Sequence, residues 1–138
     1  MNGLFVDTAG WGHLFDATQS FHPQAASIYR LARQQGRPII TTSYVMAELV
    51  ALFTSPLRIP RPNAIALLEG LKNSPYIEIV HVDSQLDAEA WQLLINRQDK
   101  EWSLVDCASF VLMQKRNISE ALTTDHHFEQ AGLIRLLT

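Results

Sequence analysis

Four carboxylates in this chain stand where a divalent-metal site could form. Asp7 and Asp125 each close a short apolar run, and Glu48 and Asp106 fall in the early turns of two expected helices. Carboxylates gathered at one place repel, and some take up protons unless cations bind. Mg2+ and Mn2+ prefer such hard oxygen ligands, usually one or two carboxylates plus water. A pair of these ions can clamp the attacking and leaving oxygens of a phosphodiester during in-line displacement.

Each acid also has a plainer explanation. Asp7 could end a strand and open a turn. Asp125, before His126 and His127, could cap a helix. Ser103 and Asp106 have the Ser-x-x-Asp spacing of a capping box. Glu48 is harder to place. It lies three residues after Val45 and four before Leu52, within an apolar stripe that includes Leu49. An ionised carboxylate turned toward a core costs several kcal/mol unless it is paired or metal-bound, so a buried arginine partner is the alternative.

The elements that must position these residues follow from hydrophobic pattern and punctuation. Strands are expected at residues 3–6, 38–42, 77–82 and 121–124, with a further one at 134–137. Helices are expected at about 22–35, 44–54, 62–72, 84–97, 104–116 and 126–131. Pro23 and Pro62 suit first turns, Gly36 and Gly132 suit stops, and Ser43 and Ser103 suit caps. Ser84 begins its helix with Asp87 as a capping-box acid. Residues 55–62, with three prolines and two arginines, read as a loop. Alternating strands and helices predict an α/β fold with a mainly parallel central sheet. In such sheets ligands bind beyond the carboxyl ends of the strands, where Asp7 and Asp125 fall.

Bulk composition agrees with one globular domain spanning residues 1–138: 47% of residues are hydrophobic and 18% charged. A chain of this size buries roughly two-thirds of its unfolded surface without staples. One cysteine, Cys107, excludes an intramolecular disulfide. Residues 1–7 are too short, and acidic too early, for a signal peptide. No apolar run approaches the ~20 residues that span a bilayer. A soluble, cytoplasmic protein without membrane contact is expected. The net charge of −3 is no electrostatic footprint for nucleic acid, although bound cations would invert the local field.

Four motifs resemble those of the PIN-domain family, in the toxin-like branch typified by VapC. They are Leu4-Phe5-Val6-Asp7-Thr8, the run from Thr41 to Leu49 around Glu48, Ser103-Leu104-Val105-Asp106-Cys107-Ala108, and Leu122-Thr123-Thr124-Asp125-His126-His127-Phe128. The resemblance implies a three-layer α/β/α sandwich and an endoribonuclease dependent on Mg2+ or Mn2+. It implies Asp7, Glu48, Asp106 and Asp125 as the catalytic and metal-binding set, with Thr8 and Ser103 as supporting hydroxyls. It further implies RNA as substrate, a homodimer, and a cognate antitoxin in a type II toxin–antitoxin pair. A housekeeping RNA-processing nuclease or a catalytically silent binding module would share the fold, and a small-molecule phosphatase would share the chemistry. Residues 55–98 match the family only in pattern, so the RNA target does not transfer.

Arg58 and Arg61 could meet substrate phosphates, or simply be solvated. Lys115 and Arg116 suit the end of a helix, where they complement its dipole. Trp11 and Trp102 fit core packing better than base stacking. The adjacent His126 and His127 should point in different directions and lack helical zinc spacing. Cys107 reads as a small buried residue.

Overall fold

The computed structural model describes residues 2–138. Its strands are β1 (Leu4–Val6), β2 (Ile39–Thr42), β3 (Ile77–Val80), β4 (Glu120–Leu122) and β5 (Ile134–Arg135). They form one sheet in the order β3-β2-β1-β4-β5, and every pairing is parallel. Its helices are α1 (Thr8–Phe15), α2 (His22–Gln34), α3 (Ser43–Thr54), α4 (Arg61–Asn73), α5 (Ser84–Asn96), α6 (Leu104–Lys115) and α7 (His127–Gln130). The expected α/β/α sandwich with a parallel sheet is therefore the fold.

The central strands β1 and β2 are buried along their whole length, as a parallel sheet covered on both faces requires. Two buried threonines in β2 are satisfied locally. Thr41 donates to the Val6 carbonyl at 2.8 Å, and Thr42 accepts from the Val45 amide at 3.1 Å. Thr42, not Ser43, is thus the N-cap of α3. Ser43 is its first helical residue, and its hydroxyl accepts from the Val82 amide instead.

Helix α1 has no counterpart in the pattern-based reading. Gly10 and Gly12 lower its intrinsic propensity by about 1 kcal/mol each relative to alanine, which hides it. The structure shows what Gly10 is for. A Cβ there would lie 2.0 Å from the Leu122 carbonyl oxygen, so α1 can press its backbone against the end of β4 only with glycine.

Other boundaries shift for local reasons. Helix α4 begins at Arg61, so that residue leaves the proposed loop. Asp83 caps α5 by accepting from the Leu86 amide at 2.8 Å. The expected capping-box acid Asp87 instead accepts from the Tyr44 hydroxyl, which ties α5 to α3. The capping box at α6 is present as read: Ser103 and Asp106 each accept from the other's amide at 3.0 Å. Lys115 and Arg116, at the end of α6, pair with Glu89 and Glu78.

Trp11 is 1% exposed and packs on Phe15, and the Trp102 ring meets Phe110 edge-on, so both are core residues. Cys107 is buried, and burial pushes its thiol up to about 11, which removes it from thiolate chemistry. Among the described residues, no helix is long and apolar enough to cross a membrane.

Candidate metal centre

The chain runs from β1 outward through β2 to β3, then returns to β4 on the opposite side of β1. The order reverses between β1 and β4, and the crevice beyond their carboxyl ends is where parallel sheets bind ligands. Asp7 follows β1 and Asp125 lies three residues beyond β4. Both open into a cleft of about 260 Å³ that Glu48 and Asp106 also line. The structure thus brings the four acids to one cleft.

Asp7 is fixed by three elements at once. It is the N-cap of α1, where Oδ1 accepts from the Gly10 amide at 2.8 Å. Its Oδ2 accepts from the Thr123 hydroxyl at 2.6 Å. It is 8% exposed, and its pKa rises to about 7. Burial is the main cause; the bonds from Thr123 and Gly10 oppose it, and the charges of Asp125 and Asp106 add to it.

Asp106 projects from the first turn of α6, held by the Ser103 amide. Its pKa is also raised, first by burial and then by Asp125, against the lowering effect of Ser103 and His127. Its capping and cleft-lining roles coexist.

Glu48 differs from expectation. Val45 and Leu49 are fully buried, whereas residue 48 is exposed. About 100° of helix rotation separates it from Leu49, which sets it on the flank of the stripe and not within it. Its surface is largely open, yet its carboxyl end is half-enclosed at the cleft, where Oε1 accepts from the Thr8 hydroxyl at 2.8 Å. Partial burial raises its pKa, Thr8 opposes this, and Asp106 and Asp125 reinforce it. Among the described residues, no arginine or lysine forms an ion pair with any of the four acids, so the buried-arginine alternative for Glu48 is not realised.

Asp125 accepts from the His127 amide at 2.9 Å, so it turns the chain into α7 while facing the cleft. The two histidines do not diverge as expected; their ring centroids are 4.4 Å apart. Asp125, His126 and His127 each offer one ligand atom, and all three atoms lie within 4.8 Å of one another.

Thr123 and His127, which the sequence reading did not place in the site, touch its acids. The Thr123 hydroxyl donates to Asp7 and accepts from the Asp125 amide at 2.9 Å, linking two of the acids. Thr123→Val keeps the shape and removes both bonds. Asp7 should then titrate above about 7, because a bond that stabilises its ionised form is gone. NMR titration of the metal-free variant should show that rise directly. An unmoved or acid-shifted titration would remove Thr123 from the site.

Arg58 and Arg61 are exposed and lie outside the cleft lining. The donor set fits a hard divalent cation: four carboxylates line one cleft with no lysine or arginine partner among the described residues, and the most buried of them is hard to ionise alone.

Similarity to known proteins agrees with this geometry. A sequence model of the PIN domain matches residues 4–133. Two relatives named 23S rRNA-specific endonuclease VapC20, from two strains of Mycobacterium tuberculosis, are each 29% identical over 133 residues. The match covers 96% of this chain and 97% of theirs. The crystal structure of M. tuberculosis VapC20, described as a sarcin-ricin loop cleaving toxin, superposes with a TM-score of 0.82. That alignment has 29% identity over 96% of this chain and 97% of the other.

Proposed function

Because the chain belongs to the PIN-domain family, we propose that it is a metal-dependent endoribonuclease and the toxin of a type II toxin–antitoxin pair. One observation carries the reading: four acids from four separate stretches of sequence share one cleft at the β1/β4 switch point with no lysine or arginine to neutralise them. Full-length similarity to a toxin endonuclease supports the RNA substrate.

Asp7, Glu48, Asp106 and Asp125 would hold Mg2+ or Mn2+, which supplies Lewis-acid activation of water and of the phosphodiester. The chain's own residues do the positioning. Thr8 orients Glu48, the α6 cap orients Asp106, and Thr123 orients Asp7 and Asp125. Near neutral pH the metal-free Asp7 is divided between its protonated and ionised forms, so cation binding releases a proton. Arg58, on the exposed connection after α3, and Arg61, at the start of α4, would meet RNA phosphates outside the cleft. One nuclease domain over residues 1–138, acting in the cytoplasm as a homodimer with a cognate antitoxin, completes the reading.

The test uses ribosomal RNA containing the sarcin-ricin loop as its first substrate. Cleavage should require added Mg2+ or Mn2+ and stop in excess EDTA. Saturation at about 100 times Kd should stabilise the fold by about 2.7 kcal/mol. Full cleavage in EDTA, or no change in Tm on adding metal, would overturn the proposed centre. Growth arrest on expression, relieved by a small neighbouring gene, separates the toxin from an RNA-processing enzyme.

A further inference from the structure

We propose that His127 is a metal ligand, and that its imidazole makes the centre prefer Mn2+ over Mg2+. This rests on the metal-dependent reading above and goes beyond the four acids. The observation is an orphaned nitrogen. His127 Nδ1 is shielded from solvent and has no hydrogen-bond partner among the described residues. It nonetheless lies 3.1 Å from Asp125 Oδ1 and 3.6 Å from Asp106 Oδ2. The 3.1 Å contact has the length of a hydrogen bond without its geometry.

A ring nitrogen shielded from solvent stands at ion-pair distance from two carboxylates without hydrogen-bond geometry to either, although buried polar groups are as a rule hydrogen-bonded. A shared cation accounts for it. In an octahedral shell with metal–ligand bonds of about 2.1 Å, adjacent ligand atoms stand about 3 Å apart. The Asp125 contact matches that spacing, and the Asp106 contact needs an adjustment of about half an ångström. With its proton on Nε2, the Nδ1 lone pair is free for a cation set off the axis to either oxygen. The His127 amide also donates to Asp125 Oδ1, which locks the ring's backbone to the carboxylate it would join on the metal. His126 is less suited: its side chain is 64% exposed and its Nδ1 is 3.9 Å from Asp125.

Selectivity follows from ligand chemistry. Mg2+ holds to oxygen donors and dehydrates reluctantly, whereas Mn2+ shares the oxygen preference but, as a first-row transition ion, also accepts an imidazole nitrogen. A centre with one nitrogen among carboxylates therefore favours Mn2+.

The direct test is pulsed electron paramagnetic resonance on the Mn2+-loaded wild-type protein. A ligated imidazole gives a 14N modulation, which needs no variant to fold. Calorimetric titration of Mn2+ and Mg2+ into wild type and His127→Ala supplies the second readout. We expect the modulation in wild type, its loss in His127→Ala, and about a tenfold fall in Mn2+ affinity with Mg2+ affinity little changed. Absence of the modulation, absence of Mn2+ binding, or an unchanged preference in His127→Ala overturns the assignment. Persistence of the modulation in His127→Ala also overturns it and transfers the ligand to His126. These outcomes stand apart from the functional reading: nitrogen ligation without RNA cleavage refutes the nuclease, and cleavage without nitrogen ligation refutes only His127.

Discussion

Asp7→Asn is expected to abolish metal-dependent cleavage while making the metal-free protein more stable at pH 8. Asp7 is nearly fully buried, and its pKa lies at about 7 against an ordinary 3.8. That displacement corresponds to about 4 kcal/mol. In the unfolded chain the group ionises near 3.8, and in the folded chain near 7. The stability associated with the neutral carboxyl is therefore fully present below 3.8, and is lost as pH rises to about 7. Above 7 the folded protein carries a buried charge facing Asp125 and Asp106. Glu48 and Asp106 are displaced in the same direction, so they add to the loss of stability as pH rises above the ordinary carboxylate range.

Asparagine removes the charge and keeps the shape. Its carbonyl can accept from the Gly10 amide, and its amide can donate to the Thr123 hydroxyl in place of the present bond. At pH 8 the variant should melt several degrees higher than the metal-free wild type, and up to roughly 10 °C higher. The gap should narrow as pH falls and close only below 3.8, where Asp7 is neutral in the folded and the unfolded chain alike. Cleavage should fall by at least about 100-fold, and added Mn2+ should no longer raise the variant's Tm to the wild-type extent. A metal-free Tm at pH 8 no higher than wild type would show that Asp7 is not the strained group. Loss of cleavage together with a gain in metal-free stability would mark a trade between activity and stability at this acid.

What the sequence made legible was local. The continuous apolar runs of β1 and β2 announced a buried parallel sheet, and the i, i+3 spacing of Ser103 and Asp106 announced a cap that the structure contains. Asp7 and Asp125 were readable because each terminates such a run. What stayed hidden depends on partners distant along the chain. Thr123 looked like one more β-branched residue, since the carboxylate it serves lies 116 positions away. His127 faces Asp106 across a contact that no spacing encodes. Helix α1 was concealed by Gly10, whose missing side chain is required by the Leu122 carbonyl and not by any local preference. Glu48 does line the cleft, but not for the reason its spacing suggested. The stripe of Val45 and Leu49 is buried, but the flank it leaves for Glu48 faces the cleft, where Thr8 reaches it.

Asp106 offers the sharpest separation of structure from chemistry, because one carboxylate both caps a helix and lines the cleft. Its Oδ2 accepts from the Ser103 amide and closes the capping box of α6, and the same side chain lines the cleft. Asp106→Asn retains an oxygen that can accept from Ser103, so the cap survives while the charge is lost. Asp106→Ala removes both. A lost cap costs about 1 kcal/mol. For a domain of this size that lowers Tm by roughly 2–8 °C. We therefore expect Asp106→Asn to hold the wild-type Tm within about 2 °C and to lose at least about 100-fold in cleavage. Asp106→Ala should lose as much cleavage and also melt earlier. Removing the charge should also lower the pKa of Asp7, since Asp106 is one of the charges that raise it. That shift, read by NMR titration of the metal-free variant, reports the shared field independently of catalysis. If Asp106→Asn kept most of its activity, Asp106 would be a capping residue alone, and the metal would rest on Asp7, Glu48 and Asp125. If both variants lost cleavage but only Asp106→Ala lost stability, the cap and the metal site would be two separable functions of one side chain.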